Sequence, residues 1–233
     1  MNRIAIVALL LCVYAAYADA PAIEIECGTD GGVVNYWYPT GVDNGDGTYS
    51  YSGTYNDSDG HWTLDLQNLL VKSDPYISVV YGLTNFAATT QNFTLSVSLP
   101  VSPTIVPSSL MGGSTGGSVT DANVDGIGTL STIGPSAFYT GLIDGVGVLP
   151  LYPHPYSVSV PFMGGTVNIP ATSAGLPGPT LPGPAVLTDI GITHRFSLTA
   201  HDIVGITSVF VVTPEPTSAL LLGLGALALI RRR

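Results

Sequence analysis

The sequence predicts an all-β fold, an antiparallel β-sandwich, and three observations carry that expectation. Short runs in which apolar and polar residues alternate recur between turn signals. Those runs are rich in β-branched and aromatic residues, while Gly and Pro, 28 and 18 of the 233 residues, crowd the spaces between them. No amphipathic helical pattern appears between the two ends, so no helical crossover is at hand to build a parallel sheet. Many short strands with frequent turns suit a sandwich.

Taken in order, "GTYSYSGTY" (Gly47 to Tyr55) alternates Tyr with small polar residues after the turn-prone "DNGDG". "HWTLDLQNLLV" sets Trp62, Leu64 and Leu66 on one face and Asp65 and Gln67 on the other. "YISVVYGL" follows, then "QNFTLSVSLPV", with Phe93, Leu95, Val97 and Leu99 in strict alternation. Such strands bury one face and wet the other, as antiparallel sheets do. "PSSLMGGSTGGSVTDANVDG" is rich in Gly and Ser and reads as a loop or flexible excursion. "NVDGIGTL" (Asn123 to Leu130) is echoed by "LIDGVGVL" (Leu142 to Leu149), which reads as a repeated strand-turn unit. "LPLYPHPYSVSVPF" gives a proline-broken edge segment and "AGLPGPTLPGPA" an extended loop. "HRFSLTAHDIVGITSVFVV" reads as a hairpin turning at His201-Asp202.

The ends carry a different message. Residues 1–18 have the layout of a secretory signal peptide: Arg3, an apolar run from Ile4 to Val13, then small residues. Ala16-Tyr17-Ala18 places cleavage before Asp19; Ala18-Asp19-Ala20 is the alternative, placing it before Pro21. An uncleaved anchor is the competing reading, although about ten apolar residues are too few to span a bilayer comfortably. In residues 214–233, Pro214-Glu215-Pro216 introduces an uncharged stretch, 217–230, and Arg231, Arg232 and Arg233 follow. As a helix, that stretch is roughly 21 Å long at about 1.5 Å per residue, short of a hydrocarbon core of about 30 Å. The prolines discourage extension of the helix, and the arginines form a cytoplasmic basic stop under the positive-inside rule. A short span behind a distinctive tripeptide is a handle for a membrane protease, in the manner of removable anchors.

Residues 214–233 resemble the PEP-CTERM sorting tail of Gram-negative-type bacteria. The resemblance implies an exosortase-type membrane protease as partner, a transient inner-membrane span, and a final place at the cell surface or in the extracellular matrix. A permanent single-pass anchor is the competing reading. Segments such as "YGLTNFAATTQNFTLSVSLPV" and "DIGITHRFSLTAHD" also look like the bodies of PEP-CTERM proteins, which implies no particular activity.

Charge narrows the partners. Between residues 19 and 213 only Lys72 and Arg195 face fifteen carboxylates, a net charge of −13. Such a surface repels phosphate backbones, so nucleic acid is not expected as a partner. Cys12 leaves with the signal peptide, so Cys27 has no internal disulfide partner and reads as a small core residue.

Among site signals, calcium is the best motivated. Asp121, Asn123 and Asp125 offer side-chain oxygens at positions one, three and five, and Gly126 follows where a tight loop needs it. Thr132 stands where an EF-hand has its bidentate glutamate, and no entering helix is expected, so these residues equally suit an ordinary turn. "DNGDG" (Asp43 to Gly47) and "NDSDG" (Asn56 to Gly60) are weaker versions of the same pattern. Gly112-Gly-Ser114-Thr-Gly116 matches Gly-x-Ser-x-Gly, but that motif needs a strand before it and a helix after it, and no helical pattern follows. His61, His154, His194 and His201 lie in separate segments without metal-ligand spacing. Trp37, Trp62 and the tyrosines could stack on sugars, although aromatics in sandwich strands are more often core. The expectation is therefore an exported, non-enzymatic surface or matrix protein in contact with exopolysaccharide. A glycan- or calcium-binding module is the alternative, and a secreted hydrolase follows more distantly.

Overall fold

The computed structural model describes residues 21, 23–29, 35–72 and 75–215; the expected signal peptide and the apolar segment 217–230 lie outside the described residues. The described residues form sixteen strands and no helix. In chain order they are β1 (Glu24–Thr29), β2 (Asn35–Trp37), β3 (Gly41–Asp43), β4 (Thr48–Asn56), β5 (Trp62–Lys72), β6 (Tyr76–Asn85), β7 (Gln91–Pro100) and β8 (Ser109–Thr120). Then come β9 (Thr129–Thr132), β10 (Tyr139–Ile143), β11 (Val146–Leu151), β12 (Ser157–Ser159), β13 (Thr166–Ala174), β14 (Leu181–Gly183), β15 (Asp189–Leu198) and β16 (Ile203–Pro214).

Two antiparallel sheets divide these strands. The first runs β2-β1-β7-β15-β10-β11, with β9 also on β15 and β12 on β9. The second runs β3-β4-β5-β6-β16-β8-β13, with β14 sharing β8. The inner faces are apolar because alternation points every second residue inward. β7 contributes Phe93, Leu95, Val97 and Leu99, and β15 contributes Ile190, Ile192, Phe196 and Leu198. From the other sheet come Ile77, Val79, Tyr81 and Leu83 of β6 and Val204, Ile206, Phe210 and Val212 of β16. β5 follows the expected face with Trp62, Leu64 and Leu66 buried, then shifts register between Leu66 and Asn68. The shift turns Leu69 and Val71 inward too, which strict alternation from Trp62 would have left outside.

Three sequence expectations are corrected. The Gly-Ser-rich segment contains β8, a twelve-residue strand near the centre of the second sheet, paired with β16 along its whole length. Its glycines answer a need for space. A Cβ on Gly113 would stand 2.6 Å from the Tyr139 hydroxyl, and one on Gly117 would stand 2.0 Å from the Gly205 carbonyl oxygen. The expected hairpin of β15 and β16 is a corner between sheets: β15 pairs with β7 and β10, whereas β16 pairs with β6 and β8. Asn85 pins that corner. It is fully buried, and its Nδ2 donates to the carbonyls of Thr89, Leu198 and Thr199 at 3.1, 3.1 and 2.9 Å. Asn85 sits at the end of β6, where the chain also crosses sheets to β7, so one side chain binds two crossovers together. Finally, the two "DG" copies are not equivalent. Asp144-Gly145, both with positive φ, turns the β10–β11 hairpin, while Asp125-Gly126 lies in the longer link between β8 and β9.

Candidate functional site

The most convergent group of side chains lies in the turn between β4 and β5. Asp57, Asp59 and His61 place one ligating atom each within 4.8 Å of the others. The turn closes by its own backbone: Asp57 N–H donates to the Trp62 carbonyl at 3.0 Å and Gly60 N–H to the Asp57 carbonyl at 3.0 Å. Gly60 supplies the positive φ (70°) that this geometry requires. Asp57 Oδ2 accepts from His61 N–H at 3.2 Å. The His61 carbonyl is gripped from the β6–β7 link by Phe86 and Ala87 N–H groups at 2.7 and 3.1 Å. The backbone beneath the three side chains is therefore held from both sides.

Beside this turn opens a cleft of about 190 Å³. Its far wall comes from the first sheet, with Thr29, Asn35 and Gln91 at the ends of β1, β2 and β7. Behind the turn Trp62 is buried against Tyr55 and Phe93, with ring centroids 5.4 and 6.1 Å away. Trp62 therefore serves the core, and Trp37 packs half-buried against Tyr55 at 6.2 Å. Tyr36 and Tyr38, which flank Trp37 at the sheet edge, are exposed, as are Phe86 and Phe162; the Tyr38 hydroxyl donates to Glu24 Oε2 at 3.0 Å. The Cys27 thiol is buried, and that burial, with Asp57 and Glu26 adding to it, pushes it up to about 12. The protonated thiol is not a nucleophile.

The loop of Asp121, Asn123 and Asp125 is organised by backbone amides of the loop itself and of Gly164. Asp121 Oδ1 accepts from Asp125 N–H at 3.2 Å, and Oδ2 accepts from Gly126 and Gly164 N–H at 2.8 and 2.9 Å. Asn123 Oδ1 accepts from Asp125 N–H at 3.2 Å, and Asp125 Oδ1 from Ile127 N–H at 2.8 Å. Asn123 Nδ2 donates to Asp125 Oδ2 at 2.9 Å. Burial works to raise the Asp121 carboxyl, but the backbone donors around it outweigh burial and leave it below the ordinary range. The two carboxylates act here as acceptors, and Asn123 as both acceptor and donor, in bonds that shape the loop. Neighbouring Asp202, also buried, accepts from Ala122 N–H at 3.2 Å and from the Thr199 hydroxyl, so this loop is tied to the β15–β16 corner. Burial leads the causes that hold the Asp202 carboxyl above its ordinary value.

Ser114 lies mid-strand in β8, opposite Val209 and Ser173, with no turn and no following helix to project its hydroxyl. His154 Nδ1 is 3.1 Å from the Thr132 hydroxyl, His201 occupies the positive-φ turn of the corner, and His194 is in the core. Of the four histidines, only His61 joins carboxylates. The sequence signal for this group is the spacing Asp-x-Asp-x-His, which runs one residue past the "NDSDG" turn. Pro214 closes β16 and Glu215 follows it, while Pro216 and Arg231 to Arg233 lie outside the described residues. No family model and no curated protein matches the chain.

Proposed function

We propose that this is an exported, non-enzymatic protein of the bacterial cell surface or extracellular matrix, sorted through its PEP-CTERM-like tail. The observation that carries the reading is the junction at Pro214. β16 is a core strand that contributes Val204, Ile206, Phe210 and Val212 to the interior, and it ends on the first residue of Pro-Glu-Pro. Any pull on the tail is thus delivered straight to a central strand of a sheet, and a processed end would leave the body compact. An exosortase-type protease would act after the body has folded outside, with residues 217–230 as the transient span. The acidic body suits an exterior rich in hydrated polymer, and Tyr36 and Tyr38, 55% and 61% exposed at a sheet edge, support contact with exopolysaccharide.

The test is to replace Pro214, Glu215 and Pro216 by alanine and fractionate the host. The proposal expects wild-type protein outside the cell and the variant retained in the inner membrane. Equal release of both would contradict it.

A further inference from the structure

We propose that Asp57, Asp59 and His61 form a binding site for a divalent transition metal of the zinc class, with the remaining coordination position open to the adjoining cleft. The donor set is mixed. Two carboxylates alone would favour hard cations such as calcium, but an imidazole nitrogen moves the preference toward zinc and its neighbours. Ligands on zinc at about 2.1 Å in a tetrahedron stand ~3.4 Å apart. The three donor atoms already lie within 4.8 Å of one another, so closing on an ion takes small rotations of the side chains. Those rotations meet little resistance. Asp59 and His61 are exposed, and neither the Asp59 carboxylate nor the His61 ring is hydrogen-bonded among the described residues.

Charge agrees with the chemistry. Two carboxylates and a neutral imidazole balance a dication. Lys72, the other charged end of β5, is ten residues from Trp62 and therefore roughly 30 Å away at about 3.3 Å per residue. The backbone of the turn is fixed by the amides of Gly60, Phe86 and Ala87, so the ligands are presented from a rigid base. The cleft of about 190 Å³ has room for bound water together with a small oxygen ligand, near Asn35 and Gln91. The site differs in place and donor set from the Asp121 loop and does not depend on how the protein is sorted.

Untagged full-length protein, stripped of metal, is titrated with zinc chloride and with cobalt chloride, by calorimetry and by the visible absorption of bound cobalt. The expected result is one equivalent bound at roughly micromolar Kd or tighter. His61→Ala and Asp59→Asn should each weaken binding by at least about tenfold. His201→Ala, which alters an exposed histidine elsewhere, should leave binding unchanged. Both test residues are exposed, and equal apo melting temperatures confirm that the variants fold. Absence of a one-equivalent zinc site would overturn the proposal. So would zinc binding that is indifferent to His61→Ala, or calcium competing equally for the same site.

Discussion

His194 stands in the apolar layer between the sheets, surrounded by the rings of Tyr81, Phe138 and Tyr139 at 5.5 to 5.7 Å. Its Nε2 is 2.8 Å from Ser208 Oγ on the opposite sheet, and Ser208 donates onward to Thr115 Oγ1 at 2.7 Å. With the serine proton spent on Thr115, Ser208 accepts from His194, which makes the ring the Nε2–H tautomer. Burial pushes His194 down to about 3, from an ordinary value near 6.5. The unfolded chain therefore takes up a proton between those values and the folded one does not. This contribution to stability is complete above pH 6.5 and is lost as pH falls toward 3, at about 1.4 kcal/mol per unit. Urea midpoints measured across that window should fall more steeply for wild type than for His194→Gln, which keeps a donor to Ser208 but does not titrate. Parallel curves would show that the imidazole is not held neutral. Alternation in the sequence sets Phe196 and Leu198 on one face of their strand, and both are buried in the core. Alternation could not place His194 there, because a histidine at an inward position is informative only when its partner across the sheets, fourteen residues away, is known.

At the scale of elements, strands that alternate strongly were legible and those that close-pack were not. β6 and β7 carry large apolar residues at every second position, as β5 does as far as Leu66, so their inward faces announce themselves. β8 hides the same role, since it is threaded where neighbours leave no room for side chains and small residues erase the alternation. Gly113→Ala should cost about 1–3 kcal/mol or more, because its methyl must displace the Tyr139 hydroxyl and Leu149. Ser114→Ala, half-buried beside it, should change stability by no more than about 0.5 kcal/mol. Thermal or urea melts of the two variants decide this, and equal stability would contradict the packing account. The β15–β16 corner is hidden in the sequence for a related reason. A tight turn between two alternating runs looks the same whether the strands pair or part, and the buried amide of Asn85 that pins the corner comes from another part of the chain. The Asp57–His61 turn was half legible: its acids were visible as a turn, but its histidine belongs to the start of the next strand.

For the whole molecule, two sheets enclose one apolar core, and the last core strand runs directly into Pro214-Glu215. Under the function proposed above, the body is an acidic cargo and residues 214–233 its removable address; Pro214 and Glu215, where that segment begins, are not part of the core. The shape follows from patterning and packing. The proposed destination rests on the chemistry of the ends: a short apolar stretch behind prolines and before arginines. The most direct measurement is the intact mass of the mature protein recovered from its native host, with both termini sequenced. The account predicts an N-terminus at Asp19 or Pro21 and a C-terminus that has lost residues 217–230. Recovery from the cytosol with Met1 and Arg233 both in place would contradict it.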